Sequence, residues 1–127
     1  MLQLLTRVKV VDNSGVKLGR IIKILTPKNA KLGRMGSLII ISSKVQTKNS
    51  GILPGTKLKA LIIRTKYGNK EFTHKIKWNN NSVVLVKAEP KYLEYIPVAT
   101  RIKAPISSSL LRLNGYQKVI SLCKHVI

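Results

Sequence analysis

Gly36-Ser37-Leu38-Ile39-Ile40-Ile41-Ser42-Ser43-Lys44-Val45 and, after a turn-rich break, Lys57-Leu58-Lys59-Ala60-Leu61-Ile62-Ile63-Arg64-Thr65 are the stretches that decide the fold. Both are short runs rich in β-branched residues and bounded by Gly, Pro or Asn, the signature of strands. Asn49-Ser50-Gly51 and Pro54-Gly55 lie between them. Gly supplies positive φ and Pro presets a turn dihedral, so the pair reads as a long hairpin whose tip carries Lys44, Lys48 and Lys57.

Working outward, residues 2–11 alternate, with Leu2, Leu4, Val8 and Val10 on one face and Gln3, Arg7 and Lys9 on the other. This is the period of a half-buried strand. Asp12-Asn13-Ser14-Gly15 follows as a turn. Residues 17–25 read as a second strand, with Ile22 and Ile24 opposite Ile21 and Lys23, and Thr26 to Gly36 as a loop carrying Lys28, Lys31 and Arg34. Downstream, His74, Ile76 and Trp78 alternate with Thr73, Lys75 and Lys77, Asn79-Asn80-Asn81 turns, and Ser82 to Val86 is a last apolar strand. Short strands with turn residues between them and no helical period predict a mainly β fold, a small five-stranded antiparallel β-barrel, because closure removes exposed edges. After residue 105 the period changes. Ser107 and Ser108 can cap a short helix through Leu110, Leu111 and Leu113, and Tyr116, Val119, Ile120 and Cys123 recur at helical spacing. The expected organisation is one domain, 1–127, with the barrel over about 1–104 and short C-terminal α-helices over about 105–127.

The chain has 127 residues, with 24 Lys+Arg against 4 Asp+Glu and a formal charge of +20. Its hydrophobic content of 44% is enough to build a core, so it is not a disordered basic tail. No unbroken apolar run is longer than Leu38 to Ile41, far below the roughly 20 residues of a membrane-crossing helix, and the basic residues are spread along the chain and not gathered on one amphipathic helix. Self-repulsion on this scale calls for a polyanionic partner, nucleic acid first, and no membrane partner is expected. Lys, Ile and Asn are abundant, the bias an AT-rich coding genome imposes. Met1 to Thr6 shows no leader pattern.

Catalysis has little to stand on. The carboxylates are Asp12, Glu71, Glu89 and Glu94. Only Glu89 and Glu94 lie near each other, in a Pro/Tyr loop where solvation is the better reading. His74 shares a face with Ile76 and Trp78, which reads as packing. Cys123 and His125 lack metal-ligand spacing, and Cys123 belongs to the apolar stripe. No phosphate-binding loop or nucleophile elbow is present. No catalytic residue, metal or cofactor is expected. With six aromatics, a base-stacking platform is thin, although Phe72 and Trp78 remain candidates. Lys and Arg meeting phosphates are the expected mode, with Asn13, Lys28, Arg34, Lys44, Lys48, Arg64 and Lys66 as the candidate RNA contacts.

Five segments together resemble the universal large-subunit ribosomal protein number fourteen family in its bacterial and organellar form. They are Val10-Val11-Asp12-Asn13-Ser14-Gly15, Leu58 to Lys66, Asn81 to Val86, Thr100-Arg101-Ile102 with Pro105, and Lys118-Val119-Ile120-Ser121-Leu122. They follow the family's order over essentially the whole chain. The departures are Trp78 in place of Phe or Tyr, Ala99 and Ala104 in place of Gly, a missing Asp-Gly turn before Trp78, and a longer segment from Lys87 to Ile96.

The resemblance implies a five-stranded barrel bound to large-subunit rRNA near the subunit interface, with an architectural role. It implies contact with a neighbouring large-subunit protein by sheet extension, with small-subunit rRNA in an intersubunit bridge, and with a ribosome-silencing factor. Thr100, Arg101 and Lys118 match that exposed face. Together with the compositional bias, the departures point to an organelle-encoded, mitochondrial protein, with plastid or bacterial cytoplasm as alternatives. Two other classes stay open. A free OB-like barrel binding single-stranded RNA or acting as a translation factor would depend on Trp78 or Phe72, and a nucleic-acid-processing enzyme would need metal ligands that this chain scarcely has.

Overall fold

A computed structural model describes residues 2–26, 30–66, 78–87, 95–106 and 115–126. Six strands, β1 (Arg7–Val10), β2 (Val16–Ile24), β3 (Leu38–Gln46), β4 (Lys57–Arg64), β5 (Ser82–Lys87) and β6 (Ile96–Pro97), precede one short helix, α1 (Gln117–Ser121). Neighbours in sequence pair antiparallel from β1 through β6, and β1 also pairs with β5. That last pairing is parallel, Lys9 opposite Ser82 and Val10 opposite Val83. The barrel of five strands is therefore closed as expected, but its orientation is mixed and not purely antiparallel. The first and fifth strands enter the seam in the same direction, which no local pattern announces.

The barrel interior is filled by Val8, Val10, Val16, Ile21, Ile24, Ile39, Ile41, Ala60, Ile62, Val83 and Leu85, with Leu2 closing one end. A second core lies outside the barrel. Leu61 and Ile63 from β4 and Val84 and Val86 from β5 pack there against Ile102, Ile106, Tyr116, Val119 and Ile120. Strands β4 and β5 are thus buried on both faces, which is why they read as continuous apolar runs. Among the described residues, strands β2 and β3 have one covered face only. Gly19 lies inside the barrel, where an added Cβ would stand 2.7 Å from Ile41 Cδ1 and 3.3 Å from Ile41 Cβ, so a side chain here would force Ile41 to shift.

Two expectations for the N-terminal half are corrected. Strand β1 begins at Arg7, not at residue 2. Leu2 instead bridges Gly33, and between them the chain turns through Leu5 at φ 68°, leaving Leu4 and Leu5 exposed. Leu4 therefore does not share the buried face. In β2, Ile21 and Ile24 are buried while Ile22 and Lys23 both face out, because a register shift separates the Ile21–Ile41 and Lys23–Ile40 pairs. A bulge adds one residue and inverts the alternation downstream of it.

The seam is held by Asp12. Lys9 N–H donates to the Asn81 carbonyl at 3.0 Å and Val11 N–H to the Val83 carbonyl at 3.2 Å, the regular steps of a parallel ladder. The next step would give Leu85 N–H the Val11 carbonyl, but that oxygen accepts from Lys103 N–H at 2.8 Å. Asp12 Oδ2 accepts from Leu85 N–H instead, at 3.0 Å. Asp12 Oδ1 accepts from Ser14 N–H at 3.0 Å and from the Ser14 hydroxyl. Past this point β6 takes over the same edge of β5, with Val86 opposite Pro97.

Helix α1 is shorter than the expected stripe, and it buries Val119 and Ile120. Tyr116 at its start donates its hydroxyl to the Gly36 carbonyl and packs on Tyr95 with ring centroids 5.0 Å apart. Cys123 is half-buried and pairs with Ile102 in a parallel bridge. The expected helix through Leu110, Leu111 and Leu113 and the strand 73–77 lie outside the described residues.

Two outcomes follow from these contacts. Asp12→Ala leaves the buried Leu85 amide without its acceptor and removes the Ser14 turn bonds, so denaturant unfolding should show a loss of about 2–4 kcal/mol. Burial pushes the Cys123 thiol up from 9.0 to about 11. Burial, and then the neighbouring Tyr95, also raise the Tyr116 phenol. Both acids are neutral in the favoured folded form, so their contribution is complete below the unfolded pKa and fades as pH rises through the folded one. Unfolding free energy should decline from about pH 9 to 11, and Cys123→Ala should flatten that decline; an unchanged pH slope in the variant would remove the thiol from the account.

Candidate nucleic-acid interface

Residues directly opposite in antiparallel strands share a face, so the register maps the barrel's outer surface. Arg7 stands opposite Arg20, Arg20 opposite Ser42, and Ser42 opposite Lys57. This row puts three cations across four strands spaced roughly 4.8 Å apart. A second row runs Lys23, Ile40, Lys59. Lys9, opposite Leu18, begins a third row that ends at Val45. Register shifts leave Lys17 and Lys44 unpaired between neighbouring pairs, both exposed at the edges of this face.

The face has no matching negative charge among the described residues. Of the four carboxylates only Asp12 belongs to them, and it is buried in the seam. Like charges directly opposite, as at Arg7 and Arg20, destabilise a sheet. Arg20 also keeps its Nε atom buried without a hydrogen-bond partner. Leu18 and Val45, both partly exposed, add an apolar strip beside the cations.

The expected contact residues do not form one cluster. Lys44 and Lys48 are exposed at the β3 end of the hairpin, beside the face just described. Arg34 is exposed in the loop before β3, where its amide donates to Ser37 Oγ at 3.0 Å. Lys66 is exposed past β4, its amide held by Asn81 Oδ1 at 2.8 Å. Lys118 is exposed on α1. Lys28, like Glu71, Phe72, His74, Glu89 and Glu94, lies outside the described residues.

Asn13 meets two residues expected at a different surface. Its Oδ1 accepts from the Thr100 and Arg101 amides, each at 3.1 Å, and its Nδ2 donates to Thr100 Oγ1 at 2.9 Å. The candidate RNA contact and the candidate partner residues are thus one exposed clip between the 12–15 turn and the segment after β6.

Arg64 is placed unlike the other cations. It is 9% exposed, its Nη2 donates to Asn80 Oδ1 at 2.9 Å and Ser82 Oγ at 2.8 Å, and its guanidinium lies 5.2 Å from the centroid of Trp78. Burial lowers its pKa below the ordinary guanidinium value, yet a guanidinium remains charged at any ordinary pH. Trp78 is 9% exposed beneath it. The face that would stack a base is occupied by this cation. Sequence reading missed Arg7, Arg20, Lys23 and Lys59, whose juxtaposition depends on register; alternation signals an outward Arg7 and Lys59, whereas the bulge at Ile22 hides that of Lys23.

The fold and its basic face define a small cationic β-barrel with no group of three or more metal-ligating side chains among the described residues. A family model described as ribosomal protein L14p/L23e matches residues 1–127. The large ribosomal subunit protein uL14 of Mesomycoplasma hyopneumoniae strain 7448 is 36% identical over 129 aligned residues, covering all of both chains. Proteins of the same description from strains J and 232 match equally. The chain belongs to this family of large-subunit ribosomal proteins, and it is not an enzyme.

Removing the Asn13 side chain tests the clip. Asn13→Ala should cost about 1 kcal/mol of stability, as exposed hydrogen bonds do, while amide exchange at Thr100 and Arg101 accelerates well beyond that of β3. Equal protection in variant and parent would show that the clip is held by something else.

Proposed function

We propose that this chain is a structural component of the large ribosomal subunit that binds rRNA directly near the subunit interface and contributes to an intersubunit bridge. The carrying observation is the outer face of β1–β4, where Arg7, Arg20, Lys57, Lys23 and Lys59 are brought into register without a carboxylate among the described residues. Lys44 and Lys48 extend that face, and Lys28, Arg34 and Lys66 are further proposed contacts. Phosphate neutralisation relieves the like-charge pairing and releases counterions, so recognition is by shape and charge. The buried Trp78 supports this reading over a free single-strand binder that stacks bases.

The exposed clip of Asn13, Thr100 and Arg101, with Lys118 on α1, is the proposed contact surface for small-subunit rRNA, a neighbouring large-subunit protein or a silencing factor. The chain is read as one domain. A mitochondrial ribosome is the proposed location on compositional grounds. The relatives reported above are bacterial, and a plastid or bacterial ribosome is the alternative, because AT-rich coding bias is not confined to one compartment.

Tagged protein should sediment with the large subunit through a sucrose gradient and remain there after a high-salt wash. In vitro, the triple change Arg7→Gln, Lys23→Gln, Lys59→Gln should weaken binding to large-subunit rRNA and lower the salt slope by about three. Protein that washes off readily would instead be an exchanging RNA binder, and an unchanged slope would move the contact off this face.

A further inference from the structure

The turn of residues 12–15 is gripped at both ends by chain far from it in sequence. On one side Asn13 Oδ1 accepts from the Thr100 and Arg101 amides, and the Asn13 N–H donates to the Arg101 carbonyl at 3.3 Å. On the other side the Gly15 carbonyl accepts from Thr47 N–H at 2.8 Å, where the hairpin between β3 and β4 begins to turn. Gly15 has φ 101°, and a Cβ on it would stand 2.5 Å from Ser50 Cβ, so the two turns touch directly. Between the two grips Asp12 Oδ1 holds the Ser14 amide and hydroxyl while Oδ2 holds Leu85. A link this short, stiffened in its middle, passes a displacement at one end to the other.

The two ends differ in what they can respond to. The 47–50 turn is closed by the Ser50 N–H and hydroxyl, both donating to the Thr47 carbonyl, at 3.1 and 3.0 Å. It carries Lys48, and Lys44 lies just before it, both exposed. The clip at Thr100 and Arg101 is made of solvent-exposed bonds. Water competes for such bonds, so the clip opens locally without unpacking the core.

We propose that the 12–15 turn is a relay between these surfaces. An anionic strand held by Lys44 and Lys48 fixes the 47–50 turn, keeps Gly15 seated against it and so holds the clip closed, presenting Thr100 and Arg101 in one arrangement more fully on the RNA-bound chain than on the free one. A partner docking on the clip then distinguishes the assembled protein from the unassembled one, and by linkage its binding tightens the grip of the hairpin on RNA. The effector rests on the rRNA reading above; the relay itself does not.

Amide exchange followed by NMR tests both parts. In the free protein, Asn13→Ala should accelerate exchange at Thr47 about fivefold, the low end of allosteric coupling, although these residues do not bond to each other. Gly15→Ala should do the same at Thr100 and Arg101, and Ser50→Ala, which removes only a hydroxyl bond, gives the same direction if Gly15→Ala does not fold. Amides in the middle of β3 and β4 should keep their rates in each variant. Changes confined to the mutated side overturn the relay. A large-subunit rRNA transcript should slow exchange at Thr100 and Arg101 about fivefold in the parent and not in the double variant Lys44→Gln, Lys48→Gln. Slowing that survives that double change puts RNA on the clip itself and overturns the hairpin as effector, as does RNA that shifts the Lys48 amide and leaves the clip unchanged. RNA that binds nowhere on the chain overturns the rRNA reading, and the two exchange arms in the free protein then uphold or overturn the relay alone.

Discussion

The Leu85 amide lies on β5 where the pairing with β1 has ended and that with β6 has not begun, and the Asp12 carboxylate is the acceptor it finds there. The rest of the seam is arranged around that substitution. Because a side chain serves Leu85, the Val11 carbonyl is available to Lys103, which draws the segment after β6 back across the barrel. The next residue, Asn13, then meets Thr100 and Arg101. A parallel closure between strands far apart in sequence is thereby fixed by one buried acid. Its charge is satisfied by N–H and O–H donors, the condition under which a buried carboxylate is tolerable.

That closure decides which surfaces remain for a partner. The chain after β5 is laid over the outer faces of β4 and β5, where Leu61, Ile63, Val84 and Val86 need cover, and Tyr116, Val119 and Ile120 supply it. Among the described residues, the outer faces of β1, β2 and β3 receive no such layer. Their residues are correspondingly Arg7, Lys9, Arg20, Lys23 and Lys44, with only Leu18, Ile22 and Val45 as exposed apolar members. The barrel is therefore two-sided by construction, with one flank burying apolar surface against its own C-terminus and the other presenting cations.

What could be read from the residues follows the same division. Strands β3, β4 and β5 were legible because burial on one face or both leaves a plain apolar signature, and the 12–15 turn was legible through its Asp, Asn and Gly. Strand β2 was misread in its parity. Its exposure runs buried, exposed, exposed, buried at both ends, because Lys17 and Ile22 are extra residues in the ladder, and nothing in Ile21-Ile22-Lys23-Ile24 says where a bulge will fall. Leu4 was misread because a left-handed Leu5 interrupts the strand, a conformation that non-glycine residues rarely take. The basic character of the protein was plain from composition, but its location was not. Arg7 and Arg20 become neighbours only once the register is set, and Arg64 was indistinguishable in sequence from a surface cation until Asn80, Ser82 and Trp78 closed around it.

Charge placement also bears on how the isolated chain and the assembled one differ in stability. Cross-strand pairing of Arg7 with Arg20 is a cost the fold carries by itself, and a net charge of +20 adds long-range repulsion to it. A polyanion that binds the folded barrel and not the unfolded chain offsets both terms by linkage, with an effect that grows with its affinity. The proposed RNA is on this view part of what makes the native sheet favourable, and not only a surface on which a finished protein docks. The uncovered flank is thus a place where like-charge pairing costs stability and where a bound polyanion would offset that cost, so its cations can stand in a row that an isolated sheet would disfavour.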